Sequence, residues 1–446
     1  MRIDAGFAED LIKRALRRGA DLAEVYIKSS TGLSVEVKEQ VIDSLTSSRS
    51  AGYSLRVAKG GRLGFSFATE AESADGVVDE AMNASVSADE DPYTDIPGPG
   101  SAAHVVVFDP AIENLAEEEA IRRVMDMEKA VYARDGRVRR VRKAMGSFAV
   151  SETVIINSRS VHVSYKSTSC AAQVTAVAEE AGESQIGWEY DSSRLLDDIA
   201  FSAIGGNAAE RAVQLLGSTK ISGCKAHVIL DNSVTGEFLG IFASSLSSEA
   251  VQKGKSLLAG RMGKPVVSSK LNMIDSGLLP GRVGSSPVDA EGVPTREKML
   301  IREGVLAAYL YNTYTARKDS VASTGNAVRG GYSSLPSVGV TNLFLDAASS
   351  GDVVPRGRLF KGVDKGLYVV DAMGVHTANP ISGEFSVGVT GMWVEGGEIR
   401  HPVKEAVVSG NILDFFSRVD AVGDDLRFYG NIGAPSLVIS GVDISG

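Results

Sequence analysis

The sequence has few cysteines, few histidines and few aromatic residues, and it has no long apolar run. Its two cysteines, Cys170 and Cys224, are too few for a disulfide framework or a CxxC metal site, which favours a reducing compartment. No stretch approaches the roughly 18 uninterrupted apolar residues of a membrane-spanning helix. Residues 1–10 are charged and lack the apolar segment of a signal peptide. We therefore expect a soluble, cytoplasmic protein that makes no membrane contact.

The charge balance argues against a nucleic-acid partner. The formal net charge is -10, and a negative surface repels phosphate backbones. One basic cluster runs against this trend. Its members are Arg134, Arg137, Arg139, Arg140, Arg142 and Lys143. We interpret the cluster as a solvated helix end and strand, or as a protein contact, because runs of charge are usually solvated.

Local catalytic signatures are missing as well. The sequence contains no P-loop, no GxGxxG after a strand and no GxSxG nucleophile elbow. Among the five histidines no two stand at the i, i+3 or i, i+4 spacing that places two imidazoles on one helical face. A Ser-His-Asp triad stays open, since its members can be scattered. His376, between a strand and a glycine-rich stretch, is the histidine most suited to line a cleft.

The length of 446 residues predicts two or three domains. Residues 1–95 alternate helical and strand patterns and predict an amino-terminal α+β domain. Three prolines and two glycines within 91–100 then break the pattern. A second α+β domain is predicted for 110–220. Residues 224–446 are rich in glycine and β-branched residues and predict a larger, mostly antiparallel β domain, so the fold class is α+β with two α/β-sandwich-like modules in front.

Finer patterns place individual elements. Asn114, with Glu117 three residues on, has the spacing of a capping box and predicts a helix start. Strands are predicted for 151–157, 160–167 and 171–179, and a helix for 195–216. Two hairpins are predicted, with turns at Glu303-Gly304 and Gly396-Gly397. Helices are also predicted at the start of the chain, for 72–88, for 233–249 and near 412–419.

A polar, aromatic loop at 309–319 is the strongest local sign of a recognition surface. It contains Tyr311, Asn312, Tyr314 and Arg317 within one short stretch, and tyrosine and arginine are enriched in binding surfaces. An interdomain or subunit contact explains the same composition equally well. The two interpretations stay open at this point.

Four ordered blocks carry a resemblance to a known family. Residues 286–295 read SPVDAEGVPT, 310–316 read LYNTYTA, 324–327 read TGNA and 379–388 read NPISGEFSVG. Their order and spacing resemble those of the TldD/PmbA peptidase family, in which the first block has the form D-x-E-G-x-x-T and the last N-P-x-[ST]-G-[DE]-F-x-x-G. With the amino-terminal pattern, the resemblance covers essentially the whole chain.

The resemblance implies two branches, of which one carries an HExxxH helix and a later cysteine that together hold zinc. Matching the glycine before that motif to Gly236 places its histidines at Gly240 and Ser245 and its glutamate at Ile241. Glycine and isoleucine offer no donor atom, and no cysteine follows Cys224. The sequence therefore resembles the TldE/PmbA branch, and no metal or cofactor is expected on this chain.

For function, the resemblance implies a non-catalytic subunit of a TldD/TldE-type zinc metalloprotease that acts on unfolded or precursor peptides. Zinc would sit on a TldD-like partner in a heterodimer, or the chain would pair with itself. Peptide would bind by backbone pairing to an exposed strand edge. The family blocks and the polar loop give the candidate peptide-cleft residues. These are Asp289, Tyr311, Asn312, Tyr314, Asn326, His376, Asn379 and Glu384.

Two alternative functions stay open from the sequence. The chain is a peptidase in its own right, with His376, Glu384 and Asp289 as the first residues to test. Otherwise it is a homodimeric peptide-binding protein without a catalytic partner. Peptide hydrolysis by the isolated chain separates the first alternative from the second, and co-purification separates the second from the heterodimer.

Overall fold

The computed structural model describes residues 3–446, with every side chain in that range except that of His376. The amino-terminal part opens with a helix whose cap is Asp4, which accepts a hydrogen bond from Phe7 N at 3.1 Å. Phe7, Leu11 and Ala15 line its buried face at helical spacing. The elements of this part are α1 (Ala5–Arg17), β1 (Leu22–Lys38), β2 (Val41–Lys59), β3 (Arg62–Ala68) and α2 (Ala74–Ser87).

The middle part differs from the sequence prediction in its boundaries. Its elements are α3 (Pro110–Glu113), α4 (Glu117–Arg134), β4 (Val138–Asn157), β5 (His162–Glu180), β6 (Glu183–Ser193) and α5 (Phe201–Val213). The helix predicted to start near Asn114 is present as α4, but it begins at Glu117 with Ala116 at the cap position, and Asn114 instead ends the short helix α3. The three predicted strands are parts of β4 and β5, which run on because β4 pairs along nearly its whole length.

Helix α5 also starts later than predicted. Leu196–Asp198 form a 3-10 turn, and Ala200, at the cap position, has non-helical backbone angles. Residues 195–200 therefore precede the α-helix, and its last residue is Val213.

One six-stranded sheet runs through both α+β regions. Its strand order is β3-β2-β1-β4-β5-β6, and every neighbouring pair is antiparallel. The two α+β regions are joined by the pairing of β1 with β4, which extends from Glu24 opposite Asn157 to Val37 opposite Ala144. Because side chains alternate along a strand, β1 turns Val25 and Val35 toward a face that α1, α2, α4 and α5 cover. Glu24 and Tyr26 lie on the opposite face, toward the carboxyl-terminal domain.

The carboxyl-terminal domain begins with β7 and a largely buried helix. Its elements are β7 (Cys224–Leu230), α6 (Asn232–Ala243), α7 (Ser248–Gln252), β8 (Leu271–Ser276), β9 (Glu297–Arg302), β10 (Val305–Leu306), α8 (Thr313–Lys318), β11 (Ala327–Val328), β12 (Ser337–Val338), β13 (Leu343–Ala347), β14 (Val353–Val354), β15 (Lys365–Met373), β16 (Glu384–Glu395), β17 (Glu398–Asn411), α9 (Ile412–Ser417), β18 (Val419–Gly423), β19 (Arg427–Tyr429), β20 (Ile432–Ala434) and β21 (Leu437–Ser445). The predicted single helix over 233–249 is interrupted, because Ser244–Leu246 form a 3-10 turn between α6 and α7.

Two sheets enclose the core of this domain. One has the order β14-β18-β21-β17-β16-β15-β7, with β21 also paired to β7, and the other has the order β10-β9-β8-β13-β20-β19. Pairings are antiparallel except β14–β18, β15–β7 and β13–β20. Helix α6 packs Phe238, Leu239 and Phe242 into the core between them. The α+β class with a mostly antiparallel β carboxyl-terminal domain is thereby confirmed.

The two predicted hairpins are also confirmed. Glu303 and Gly304, between β9 and β10, have φ of 47° and 78°, and Gly396 and Gly397, between β16 and β17, have φ of 60° and 77°. Paired positive φ values match the twist of antiparallel strands and favour glycine. Across residues 3–446, no helix is long and apolar enough to cross a bilayer.

Candidate functional site

A cavity of about 330 Å³ lies between the six-stranded sheet, the connection after α2 and loops of the carboxyl-terminal domain. We call it the interdomain cleft. Its lining residues are Arg56, Leu63, Asp89, Asp91, Thr94, Asp95, Glu249, Asn312, Tyr314, Thr315, Leu335 and Pro336. A concave site with a few polar groups on an otherwise apolar wall is the usual form of a ligand pocket. The cleft therefore is the first candidate for a binding site.

Arg56, one of the lining residues, is part of a buried ion network. It stands on β2 directly opposite Glu24 of β1, and its Nη2 donates to Glu24 Oε2 at 2.8 Å. Its Nη1 lies 2.9 Å from Glu291 Oε1, and Arg329 Nη2 donates to the other oxygen of Glu24 at 2.5 Å. All four side chains are at most 7% exposed. The network joins the sheet to two loops of the carboxyl-terminal domain.

Charge compensation keeps these guanidinium groups ionised. Burial by itself lowers the pKa of Arg56, but the carboxylates of Glu24 and Glu291 raise it to a net value above the ordinary one. Burial lowers the pKa of Arg329, and Glu24 opposes that change. The Nε of Arg56 is buried without a hydrogen-bond partner in the described part of the chain. Because this atom is enclosed, its N–H does not reach a ligand in the cleft.

The first family block forms the turn beneath the cleft. Asp289 Oδ1 accepts hydrogen bonds from the backbone N–H of Glu291 at 2.9 Å and of Val293 at 3.0 Å, and its Oδ2 accepts one from Ala327 N–H at 3.0 Å. Burial, followed by the charge of Glu291, raises the pKa of Asp289 above its ordinary value. Glu291 Oε2 accepts from Thr313 N–H at 2.9 Å, at the start of α8. Asp289 therefore shapes the turn, and Glu291 ties the turn to α8.

Helix α8 forms one wall of the cleft and carries two of the predicted residues. Asn312 caps the helix, because its Oδ1 accepts from Thr315 N–H at 2.9 Å while Thr315 Oγ1 accepts from Asn312 N–H at 3.2 Å. Tyr314 donates its hydroxyl hydrogen to Asp91 Oδ2 at 2.8 Å across the cleft. Burial and then Asp91 raise the pKa of Tyr314 to about 12, so its hydroxyl stays protonated at neutral pH.

Two other predicted residues lie behind this wall. Tyr311 donates to Asp319 Oδ2 at 3.1 Å and is not among the lining residues. Asn326 is fully buried; its Nδ2 donates to Asp275 Oδ2 at 2.8 Å, and its Oδ1 accepts from Lys298 Nζ at 2.9 Å. Both side chains hold loops of the carboxyl-terminal domain in place.

The block at 379–388 lies apart from the cleft. Asn379 Oδ1 accepts from the N–H groups of Ile381 and Ser382 at 2.8 and 3.1 Å and so closes its own turn. Glu384 is exposed at the start of β16, with Ser382 as a hydroxyl neighbour at 3.5 Å. The side chain of His376, the remaining predicted residue, lies outside the described residues.

Helix α6 and the 3-10 turn after it carry the positions that the family resemblance assigns to zinc. Gly240 is exposed and has no side chain, Ile241 is partly buried, and Ser245 is fully buried with no hydrogen-bond partner for its Oγ among the described residues. Zinc in proteins is held by cysteine, histidine and carboxylate groups. The residues at these three positions therefore do not fit a zinc ion.

One turn before Gly240, the same helix carries a carboxyl group that the sequence analysis missed. Burial, followed by the charge of Asp371 on β15, raises the pKa of Glu237 to about 7. Trp188 Nε1 of β6 donates to Asp371 Oδ1 at 2.8 Å. The indole N–H thereby holds Asp371 in place beside Glu237.

A second polar cavity, of about 340 Å³, lies between the middle region and the carboxyl-terminal domain. Its centre is Asp231, which accepts from Arg211 Nη2 at 3.0 Å, from Arg356 Nη2 at 3.0 Å and from Tyr368 Oη at 2.7 Å. Burial by itself raises the pKa of Asp231, but Arg211 and its other partners lower it overall. The positive and negative side chains in this cavity are paired with one another, which is typical of a structural contact between domains.

Sequence reasoning missed Arg56 and Glu24 in the floor of the cleft. A usable signal exists, since both are charged residues inside otherwise apolar strand segments, and a register that places Glu24 opposite Arg56 pairs them. The burial of Arg329 and Glu291 depends on contacts with distant loops, so no comparable local pattern in the sequence predicts it.

Comparisons with known proteins agree with this architecture. A Thermotoga maritima protein described as a candidate modulator of a DNA gyrase superposes with a TM-score of 0.90, 28% identity and 99% coverage of both chains. TldE from Thermococcus kodakarensis superposes with a TM-score of 0.90 at 19% identity, over 99% of this chain and 100% of that one. The second likeness shows the fold alone. Both structures share the arrangement of sheets described above.

Matches to the sequence profiles of known domain families indicate the class of protein. The profiles for domain 1, the central domain and the C-terminal domain of the PmbA/TldA metallopeptidases match residues 23–85, 110–216 and 223–446. Three successive regions of the chain thus match the scaffold of these metallopeptidases.

The chain belongs to the PmbA/TldD family. It is similar to the metalloprotease PmbA homolog of Buchnera aphidicola from Acyrthosiphon pisum, with 28% identity over 95% of this chain and 93% of that protein. It is also similar to the metalloprotease PmbA of Escherichia coli O157:H7, with 26% identity over 98% of this chain and 96% of that protein.

Proposed function

We propose that this chain is a non-catalytic, TldE/PmbA-like subunit that guides unfolded or precursor peptides to a zinc-bearing, TldD-like partner. The observation that carries the proposal is the chemistry of α6 and the turn after it, where Gly240 and Ile241 offer no metal donor and Ser245 is enclosed in the core. The interdomain cleft, in contrast, is fully formed. A peptide-binding surface without a metal site suits a partner subunit.

The lining of the cleft supports a peptide as the ligand. Asp89 and Asp91 line the cleft and are acceptors for backbone N–H groups of a peptide. Leu63, Leu335 and Pro336 supply apolar surface. Main-chain recognition combined with apolar contact tolerates many sequences, as a handler of unfolded peptides requires.

Hydrolysis is assigned to the partner. A zinc ion on that subunit would lower the pKa of a bound water and so generate the nucleophile. This chain would hold the peptide extended and exclude water from part of its length. We place the complex in the cytoplasm, where thiols stay reduced, and both cysteines of this chain are free.

The test is hydrolysis of an unfolded peptide by this chain alone and mixed with a TldD-like partner, each with and without a chelator. We expect no turnover by the chain alone and chelator-sensitive turnover in the mixture. Robust turnover by the isolated chain would overturn the proposal and favour a peptidase with its own site.

Two tyrosines of the α8 region provide a matched pair of variants for the cleft. Tyr314→Phe removes the hydroxyl that bridges the cleft to Asp91, whereas Tyr311→Phe removes one that bonds Asp319 outside the lining. In the mixture we expect Tyr314→Phe to raise KM several-fold, about what one hydrogen bond contributes, and Tyr311→Phe to leave it unchanged. Equal effects of the two variants would remove the cleft from the peptide path.

A further inference from the structure

The charged side chains of the interdomain cleft are not equally compensated. Among the described residues that line the cleft, Arg56 is the one cation, and it is already bonded to Glu24 and Glu291 at 2.8 and 2.9 Å. It therefore adds no free positive charge to the wall. The carboxylates of the lining are Asp89, Asp91, Asp95 and Glu249. The charge that the cleft presents to a ligand depends on the partners of these four.

Two of the four carboxylates are paired with cations that lie outside the lining. Asp95 lies 2.8 Å from Arg159 Nη2 and is also paired with Arg317. Glu249 lies 2.6 Å from Lys253 Nζ, one helical turn further along the chain. A nearby opposite charge cancels most of the field of an ion at longer range. These two carboxylates therefore contribute little to the attraction of a charged ligand.

The other two carboxylates, Asp89 and Asp91, form an acidic pair without a cation. The carboxylate of Asp89 is exposed and forms no ion pair with any described residue. Asp91 accepts hydrogen bonds from the backbone N–H of Tyr93 at 2.9 Å and from the hydroxyl of Tyr314 at 2.8 Å, and both donors are neutral. Within residues 3–446 neither negative charge is balanced, so this part of the cleft attracts a positive group.

A cation of the chain itself lies against the two tyrosines that bond Asp91. The ammonium of Lys318 is 5.5 Å from the centre of the Tyr314 ring and 5.9 Å from that of the Tyr93 ring. The face of an aromatic ring attracts a cation at about this distance. Lys318 is exposed and forms no ion pair with a described carboxylate, so no salt bridge holds it there. The aromatic pair of Tyr93 and Tyr314 is thus a surface on which an ammonium group rests.

We propose that the acidic pair and the aromatic pair together form a subsite for a lysine or arginine side chain of the bound peptide, which displaces the ammonium of Lys318. The subsite rests on the proposed function, because a peptide has to occupy the cleft. The apolar lining residues Leu63, Leu335 and Pro336 suit uncharged side chains next to the basic one. An acidic side chain at the same position is repelled by the acidic pair. The cleft therefore selects peptides by charge while it tolerates many sequences.

Binding of fluorescent peptides to the full-length chain, measured by anisotropy, tests the subsite. The peptides share one neutral, extended sequence and differ only at a central position, which is lysine, norleucine or glutamate. Norleucine keeps the hydrocarbon chain of lysine and lacks its charge. We expect the lysine peptide to bind about fivefold more tightly than the norleucine peptide, and the glutamate peptide to bind most weakly. A high salt concentration should reduce the difference, because salt screens the attraction.

Variants of the chain separate the subsite from the overall charge of the protein. Asp89→Asn should weaken binding of the lysine peptide by about threefold and leave the norleucine peptide unchanged. Glu90→Gln is the matched control, since it removes the same charge from the adjacent exposed residue, which does not line the cleft. Tyr93→Leu should weaken the lysine peptide by about twofold. Lys318→Met should strengthen it, because the competing ammonium is gone.

Three results would overturn the subsite while the proposed function stands. These are equal binding of the lysine and norleucine peptides, equal losses in Asp89→Asn and Glu90→Gln, and weaker binding of the lysine peptide by Lys318→Met. If none of the peptides binds, the cleft is not the peptide path and the subsite fails with it. Selective binding of the lysine peptide by a chain that hydrolyses peptides alone would keep the subsite and reject the partner-subunit function.

Discussion

The turn at 286–295 matches a family block and helix α6 lies where the family's zinc motif would fall, but the polar groups of these two regions of one domain are placed very differently. In the turn, Asp289 and Glu291 are buried and bonded to the backbone of neighbouring loops. On α6, Gly240 faces solvent with no side chain, and Glu237 stands beside the carboxylate of Asp371, with no ion-pair partner in the described part of the chain. The two carboxylates of the turn accept hydrogen bonds, whereas Glu237 on α6 has a neighbouring negative charge instead.

The difference shows what each region contributes. Among the candidate residues with described side chains, Asn312 and Tyr314 line the cleft. Asp289, Tyr311 and Asn326 hold loops of the carboxyl-terminal domain in place, and Asn379 and Glu384 lie apart from the cleft. Buried ion networks of this type are costly to disrupt by removing one member. Helix α6 has no such network at its exposed face, so substitutions there should be mild.

The largest effect is expected from Glu24→Ala. This substitution leaves Arg56 and Arg329 buried without their shared carboxylate, and the free energy of unfolding should fall by about 3–5 kcal/mol. Urea denaturation measures this change in the free energy of unfolding. The control is Glu210→Ala, which breaks an exposed pair with Arg134 and should cost below about 1 kcal/mol. Similar losses in both variants would contradict the role given to the buried network.

Asp289→Ala should have the next largest effect. Three backbone N–H groups lose their acceptor, and we expect a loss of about 2–3 kcal/mol in the free energy of unfolding. Asp346→Ala, which removes an exposed carboxylate from Ala347 N–H, serves as the control and should change little. A stable Asp289→Ala protein that fails to support hydrolysis would instead point to direct contact with peptide.

On α6 the expected effect depends on pH. Glu237 has a pKa of about 7 in the folded chain against about 4.5 when unfolded, so the folded state holds the additional proton between these values. Its contribution to stability is present below pH 4.5 and is lost as the pH rises to about 7. Glu237→Gln should reduce the loss of stability between pH 5 and pH 8 by about 1–2 kcal/mol, since the side chain is partly solvated. Exposed Glu395→Gln should leave the profile unchanged.

Gly240→Ala should have the smallest effect and the opposite sign. Gly240 is helical, and a Cβ added there meets no atom within 4 Å. Alanine should therefore raise the free energy of unfolding by about 0.5–1 kcal/mol. Peptide hydrolysis in the presence of the partner should not change. A loss of hydrolysis would mean that this face of α6 contacts substrate or partner, and would remove the contrast between the two regions.

Local patterns predicted the parts of the fold that local forces determine. Both glycine-containing hairpins and helix α1 follow from turn chemistry and helical periodicity. The capping-box spacing led to a wrong prediction of Asn114 as a helix cap, because Asp109 followed by Pro110 starts a helix earlier. The break predicted between residues 167 and 171 is absent from β5, and β4 starts earlier than the predicted residue 151, because pairing with neighbouring strands overrides weak local propensity.

The candidate site was predictable to a smaller extent. Asn312 and Tyr314 were found through the composition of their loop, and they do line the cleft. Arg56 was not found, because a charged residue is buried only when partners such as Glu24, Glu291 and Arg329 converge on it from distant segments. Sequence spacing carries no information about that convergence.

The pairing of β1 with β4 has a consequence for synthesis of the chain. Glu24 and Asn157 face each other although 133 residues separate them. At about 5–20 residues per second, a ribosome needs about 7–27 s to add β4 after β1. Through that interval the edge of β1 that later receives β4 stays unpaired in the nascent chain, and an open edge is a template for wrong pairing.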